Sequence, residues 1–351
     1  MSDLITIDGS QGEGGGQMVR SSLALAVVTG KSVRIENIRA GRSKPGLGRQ
    51  HLTSVRAAAE ICNGEVTGDE LGSTVIEFHP AAVQPGHYQF SIGSAGSAML
   101  VLQTVLPPLL TAEQPSTLIL EGGTHNQWAP PFDFLQQAYL PLVNRLGPNV
   151  GIRLERFGFY PAGGGRVVVD VQPSPRLAGF DLLDAGKVKR RQVSALVANL
   201  SAAIAEREVK QAQRKLNWRP DEMLVREVKA NGPGNVVFAE IECEHVTEVF
   251  TAFGRQGVSA EKVADEVVRD VRKWLKRGVP VGEYLADQIL LPLGLSAAQS
   301  TDTPVQRGGS FLTGNLTQHS LTHIDILQRF LDIGIDVSET EAGVLVAVQP
   351  N

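Results

Sequence analysis

The residues Gly12-Glu13-Gly14-Gly15-Gly16-Gln17, followed by Arg20 and then by Arg39-Ala40-Gly41-Arg42-Ser43-Lys44-Pro45-Gly46-Leu47, set one carboxylate inside a glycine loop and surround it with cations. Glycine permits positive φ and a close approach of backbone to ligand. The N–H groups of such a loop, and of a helix that follows it, can cradle phosphate. Arginine forks suit two-point contact with phosphate oxygens. A carboxylate does not attract an anion by itself; beside a phosphate it holds a hard cation that bridges to the phosphate oxygens. Glu13 is therefore a candidate metal ligand. The plain alternative is a tight turn with a solvated glutamate, and the run matches neither GxGxxG nor the Walker A pattern.

The chain that must position these residues has 351 of them, enough for two or more domains with cores of their own. Its hydrophobic fraction of 42% is that of a globular protein, and its net charge of −4 argues against an unselective nucleic-acid coat. Local clusters of basic residues still decide binding more than the total does. The two cysteines, Cys62 and Cys243, offer neither a disulfide framework nor metal-ligand spacing. Any metal is accordingly expected to be a hard one held by oxygen. There is no signal-peptide pattern and no apolar run long enough to span a bilayer, which points to a cytoplasmic protein.

Three segments share one rhythm. The first, 5–80, reads as a glycine loop, an apolar helix over 19–29, a strand over 32–38, a helix over 50–62 and a hairpin ending at Pro80. The second, 88–173, has Gly93-Ser94-Ala95-Gly96-Ser97, a helix over 99–110, a strand over 116–121, a helix over 132–146 and a hairpin ending at Pro173. The third, 279–350, has helices over 284–293 and 320–331, a strand near 310–313 and a hairpin ending at Pro350. The expected fold class is α/β, of the α+β kind: three β-α-β-α-β-β repeats whose helices bury their apolar stripes around a shared core. Coincidence among ordinary α/β segments is the competing explanation.

The stretch 187–277 breaks the rhythm. It carries alternation over 193–203, a helix over 205–216, strands over 224–229 and 236–242, and an amphipathic helix over 260–276. It reads as a smaller α/β domain, 185–277, inserted into a three-repeat domain made of 1–184 and 278–351. Lys187, Lys189, Arg190 and Arg191 form a basic edge, read first as a solvated face and second as a nucleic-acid contact.

Further motifs stand in order along the chain: Arg49-Gln50-His51-Leu52, Gly158-Phe159-Tyr160-Pro161-Ala162-Gly163-Gly164-Gly165 and Gly282-Glu283-Tyr284-Leu285-Ala286-Asp287-Gln288. With the two basic and glycine-rich runs above and Gly93 to Ser97, they resemble the RNA 3′-terminal phosphate cyclase family from Ile5 to Val348. The resemblance implies a fold similar to the one just read, with repeats like the C-terminal domain of a bacterial translation initiation factor. It implies conversion of an RNA 3′-phosphate to a 2′,3′-cyclic phosphodiester with ATP and a divalent metal, Mg or Mn. It also implies three steps. A histidine attacks the α-phosphate of ATP and releases pyrophosphate; the RNA 3′-phosphate takes the AMP; the 2′-hydroxyl closes the ring and AMP leaves. Neutral imidazole suits the first step, and cations suit charge that builds on phosphate oxygens.

The matching histidine is His319, in Thr317-Gln318-His319-Ser320-Leu321-Thr322. On the residues alone, His323 one turn later is an equal candidate; the resemblance selects His319. The resemblance further implies Glu13 as the metal ligand, with Arg20, Arg39, Arg42, Gln50, His51 and Gln103 lining the nucleotide and phosphate site. Lys44, Gln17 and Gln288 join that set from the motifs. Asp287 becomes an acid beside the histidine that acts on the metal or orients the ring. Pro130 and Tyr284 sandwich the adenine, and Phe250 and Phe253 close over the nucleotide.

Trp128 stands where a smaller residue is expected, which would reshape the approach of adenine or RNA. The stretch 296–309 is expected to be a mobile loop leading to His319. The implied partner is RNA with a 3′-phosphate end, with no membrane, and exposed sheet edges leave room for a homodimer. Rival readings are a non-catalytic ribosome-assembly relative, from which both Glu13 and His319 would be missing, an enolpyruvyl-transferase-like enzyme, which uses no covalent histidine, and a plain RNA-binding module.

Overall fold

The computed structural model of the chain describes residues 4–12, 15–300 and 305–351. Unit one runs β1 (Ile5–Asp8), α1 (Gly16–Thr29), β2 (Val33–Glu36), α2 (Arg49–Glu60), β3 (Glu65–Thr67) and β4 (Ile76–His79). Helix α1 carries the chain back across the sheet, so β1 and β2 lie parallel, with Ile5 opposite Val33. The strands order as β1-β2-β4-β3.

Unit two repeats the arrangement with β5 (His87–Ser91), α3 (Ala98–Leu109), β6 (Ser116–Gly122), α4 (Phe132–Phe134), α5 (Leu140–Arg145), β7 (Asn149–Arg156) and β8 (Gly165–Gln172), in the order β5-β6-β8-β7. The helix expected over 132–146 is interrupted: a π-helical turn, Leu135–Tyr139, separates α4 from α5. Such a turn rotates the side chains that follow it and recurs at functional sites.

A fourth sheet comes next. It consists of β9 (Val188–Ala198), β10 (Met223–Glu227), β11 (Gly234–Cys243) and β12 (Thr247–Phe253), ordered β10-β9-β11-β12, with α6 (Ala202–Leu216) and α7 (Ala260–Arg277). Strand β12 is absent from the sequence reading because its connection to β11, Glu244-His245-Val246, contains no Gly, Pro, Asn or Asp to announce a turn. Helix α7 buries Val263, Val267, Val271 and Trp274 along one stripe.

Unit three has α8 (Glu283–Ala298), β13 (Gly309–Thr313), α9 (Gln318–Phe330), β14 (Ile333–Thr340) and β15 (Gly343–Pro350). The place of its first strand is taken by two short stretches: Leu182 and Val281 each pair in parallel with β13, opposite Phe311 and Thr313. Leu182 N–H donates to Ser310 O at 2.7 Å and Val281 N–H to Leu312 O at 3.2 Å. The chain thus leaves this sheet at Leu182, builds the fourth sheet, and rejoins it at Val281.

The helices of the three units meet at the centre. Helix α1 packs against α2, α3 and α9, and α8 against α9. Helix α1 is buried from Gln17 through Val27 and ends at Gly30, whose φ of 68° lets the chain turn into β2.

The stretch 296–309 is expected to be a loop, and its first three residues, 296–298, are helical instead. Helix α8 runs on to Ala298, and Ser296 Oγ donates to Leu177 O at 3.0 Å while accepting from Gly308 N–H at 3.1 Å. Both ends of the segment are therefore fixed, and 301–304 lie outside the described residues. Among the described residues no helix is long and apolar enough to cross a membrane.

Candidate active site

Asp287, on the second turn of α8, is buried at the junction of α1, α8 and α9. Its Oδ1 lies 3.0 Å from His319 Nδ1 and 3.3 Å from His323 Nδ1, and accepts from Gln17 Nε2 at 2.8 Å; Oδ2 accepts from Gln288 Nε2 at 3.0 Å. Burial alone would raise this carboxyl. The His319 and His323 rings hydrogen-bonded to it outweigh burial and hold it well below the usual carboxylate range. With Nδ1–H of His319 directed at a carboxylate, the lone pair of that ring sits on Nε2.

His319 is the second residue of α9. The helix is started by Thr317, whose Oγ1 accepts Ser320 N–H at 3.1 Å. The positive end of the helix therefore lies where a nucleophile for phosphate would be wanted. His323, one turn on, also faces Asp287 O at 3.1 Å.

These groups wall a narrow cavity of about 30 Å³, shared with Gln17, Arg20, Ser21, Gln103 and Tyr139. Gln103 Nε2 donates to Gln288 Oε1, tying α3 to α8. The buried Gln17 Oε1 and His323 Nε2 have no hydrogen-bond partner among the described residues. Orphaned polar atoms in a cavity wall fit a polar ligand.

The cationic part of the site adjoins the cavity through Arg20. His51, in the first turn of α2, accepts Gly48 N–H on Nδ1 at 3.2 Å, which assigns its proton to Nε2. Burial, then the Arg20 and Arg39 guanidiniums, push His51 down to about 3, so it is a neutral donor at ordinary pH. Arg39 takes a left-handed backbone, φ 55°, and donates to Gly46 O at 2.7 Å. Burial, then Arg42, lower Arg39. Arg20 and Arg39 thus face one neutral imidazole, and Arg42 stands close enough to Arg39 to lower it, an arrangement that suits an anion. Lys44 is exposed on the same loop.

Gly16 explains how these groups approach α1: a methyl there would fall on His51 Nε2 and Arg20 Nη1. Gly12, at φ +59°, lies where a side chain would strike Thr322 of α9, so the glycine loop abuts the helix that bears His319. Glu13, the candidate metal ligand, lies outside the described residues. No cluster of three metal-ligating side chains occurs among the described ones.

The remaining predicted residues stand elsewhere. Gln50 Oε1 accepts Ser97 N–H at 2.9 Å and so docks the start of α3 on α2. Pro130 is half-buried in the loop before α4. Tyr284 is exposed, at 73%, on the first turn of α8. None of the three lines the cavity. Phe250 packs on Trp274, ring centroids 6.0 Å apart, and Phe253 pairs with Val236 in the sheet. Both serve the packing of the fourth sheet rather than the cavity wall. On the basic edge, Arg190 is paired with Glu240 and Glu242 and Arg191 with Glu222, as a solvated, neutralised face would be.

Tyr139, Ser21 and Pro107 line the cavity and escaped the sequence reading. Tyr139 reaches it from the π-helical turn, which no residue pattern announces. Burial, with Asp287 nearby, raises the Tyr139 hydroxyl above its usual range, so it stays a neutral donor.

Residues 11–337 match the model of a family described as RNA 3′-terminal phosphate cyclase. The chain is similar to the RNA 3′-terminal phosphate cyclase of Koribacter versatilis (strain Ellin345), 46% identical over 347 residues, 99% of this chain and 95% of the relative. It is also similar to that of Ectopseudomonas mendocina (strain ymp), 46% identical over 345 residues, 98% of this chain and 97% of the relative. The cyclase of Salmonella enteritidis PT4 (strain P125109) is 44% identical over 348 residues, 99% of each chain.

Proposed function

Because this chain belongs to the RNA 3′-terminal phosphate cyclase family, we propose that its enzymatic activity, ATP-dependent cyclisation of RNA 3′-phosphate ends, proceeds at the Asp287–His319 cavity. The observation that carries this reading is the 3.0 Å contact between His319 Nδ1 and Asp287 Oδ1. It fixes ring orientation and tautomer, and leaves Nε2 as the atom that attacks the α-phosphorus of ATP. A bond forms from Nε2 to phosphorus and the bond to pyrophosphate breaks. The positive charge that develops on the ring is balanced by Asp287. Arg20, beside the ring, and the Arg39–Arg42 loop neutralise phosphate oxygens through both this transfer and the next, in which the RNA 3′-phosphate displaces the histidine. The 2′-hydroxyl oxygen then bonds to the 3′-phosphorus as AMP departs. His51 donates from Nε2 without adding a competing charge.

A divalent ion, Mg or Mn, would neutralise the triphosphate, with Glu13 as its ligand. We read 1–184 with 278–351 as the catalytic three-repeat domain and 185–277 as inserted, and the location as cytoplasmic. Tyr284 and Pro130 are the candidates for the adenine.

Incubation with ATP labelled at the α-phosphate tests this. The protein retains label after denaturation, His319→Ala retains none, and Glu13→Ala retains label with a weakened response to metal. Label on His319→Ala would remove the nucleophile, and an unchanged metal response in Glu13→Ala would remove the metal ligand.

A further inference from the structure

Two large rings stand out of the surface. Trp128 is 87% exposed and Tyr160 is 76% exposed, the two highest values among the large hydrophobic side chains. They sit on the loops 123–131 and 157–164, which are bound to each other. His125 pairs in parallel with Phe159, and Thr124 and His125 N–H groups both donate to Gly158 O, at 2.9 and 3.1 Å.

Beneath the rings the mounting is rigid. His125 is buried, its ring nitrogens within 2.8 Å of Thr124 Oγ1 and of Asp133 Oδ2, and it stacks on Phe157 and Phe159 at 5.3 Å each. Asn126 Nδ2 donates to Ala95 O at 2.6 Å. At Gly163, φ +65°, an added Cβ would lie 2.8 Å from Ala95 Cα. Rings this exposed keep most of their apolar surface in water in the free protein. Their planes are therefore offered to a ligand.

Two observations identify that ligand. Cations stand on the same and adjoining segments: Arg156, also paired with Glu121 at 3.8 Å, donates from Nε to Gly164 O, and exposed Lys229 precedes Ala230, which pairs with Phe157. The same loops are also tied to the cavity. Gly123 N–H donates to Gly96 O at 2.7 Å and Gly123 pairs with Ser97, the residue that caps α3. Gln103, six residues further along α3 and so about 9 Å down its axis, lines the cavity. We infer that Trp128 and Tyr160 form a stacking surface for unpaired bases of single-stranded RNA, those preceding the nucleotide whose 3′-phosphate reacts. Bases stack on aromatic rings irrespective of sequence while cations follow the backbone.

The inference rests on the proposed cyclase reaction, and the test separates the two. Of the three tryptophans, Trp218 and Trp274 are buried, so collisional access to fluorescence reports Trp128. A short single-stranded RNA with a 3′-phosphate, without ATP, quenches this emission, and an abasic oligonucleotide of the same length does not. Trp128→Ala and Tyr160→Ala each raise KM for that RNA about tenfold, the low end of base–aromatic stacking, with KM for ATP and self-adenylylation unchanged; Trp128→Phe restores most of the affinity. An RNA KM unmoved in both alanine variants, equal quenching by the abasic oligonucleotide, or an effect on the ATP KM instead would overturn the stacking surface. Base-dependent quenching in a protein that never adenylylates itself would retain the surface and remove the reaction.

Discussion

Asp287 gathers donors from three helices onto one buried carboxylate: Gln17 from α1, Gln288 from α8, and His319 and His323 from α9. Three of the four meet at Oδ1, so the position of His319 is set by a crowded acceptor rather than by its own rotamer. Asparagine at 287 would keep the volume and lose the charge, and its single carbonyl oxygen could not serve all four donors. Asp287→Asn is expected to slow single-turnover self-adenylylation by about 10²–10⁴-fold, with KM for ATP changed far less, since the cations proposed to hold phosphate are untouched. A rate within threefold of the parent protein would show that the carboxylate does not activate the ring. The nearness of Arg39 and Arg42 was legible from their spacing. The partnership of Gln17 with Asp287 was not, because residues 270 positions apart leave no local signature.

At the scale of elements, α9 does more than display His319. Its cap at Thr317 fixes where the first turn begins, and so which residue occupies the second position. Loss of the cap hydroxyl costs about 1 kcal/mol, and fraying of that turn would release the ring from Asp287. Thr317→Val is expected to lower Tm by a few degrees and to slow adenylylation, while Thr317→Ser restores both; a lowered Tm with an unchanged rate would confine Thr317 to stability. Elements with a clear apolar pattern were legible in advance: α1 and α8 as apolar runs too long for strands, α2 and α9 as helices with one apolar face, and the hairpins ending at Pro80, Pro173 and Pro350, whose apolar residues alternate or run together as buried strands do. What stayed hidden has physical reasons. The π-helical turn that ends at Tyr139 inserts one residue per turn without changing composition, and β12 follows a turn with no turn-forming residue. The end of α8 looks like a loop because Ser296 is tied to Leu177 and Gly308, long-range hydrogen bonds rather than local ones.

Across the whole molecule, a buried side chain of the fourth sheet reaches the start of the helix that carries Asp287. Glu248 of β12 is buried and accepts Gly282 N–H at 2.6 Å, at the start of α8 and five residues before Asp287. An added Cβ at Gly282 would lie 2.8 Å from Glu248 Oε2, so glycine is what allows the carboxyl to reach the helix end. Burial pushes Glu248 up to about 8, against the pull of Gly282 N–H. In the unfolded chain it would titrate near 4.3. The folded protein therefore binds its proton between those values, and the associated stability, full below about 4.3, drains away as pH rises through about 8. Glu208, raised to about 7 by burial, acts in the same sense. His51 acts oppositely: held at about 3, it takes up a proton in the unfolded chain first, so stability falls as pH drops below about 6.5. Above that point the alkaline loss is left to the two glutamates, at roughly 1.4 kcal/mol per pH unit for each group still titrating. Glu248→Gln keeps an oxygen for Gly282 N–H and removes the titration. Urea midpoints at pH 6.5 and 8 are expected to fall less in this variant than in the parent, with self-adenylylation retained at both. Parallel losses would mean that Glu248 is already ionised in the fold and that the seam between the fourth sheet and α8 does not weaken with pH.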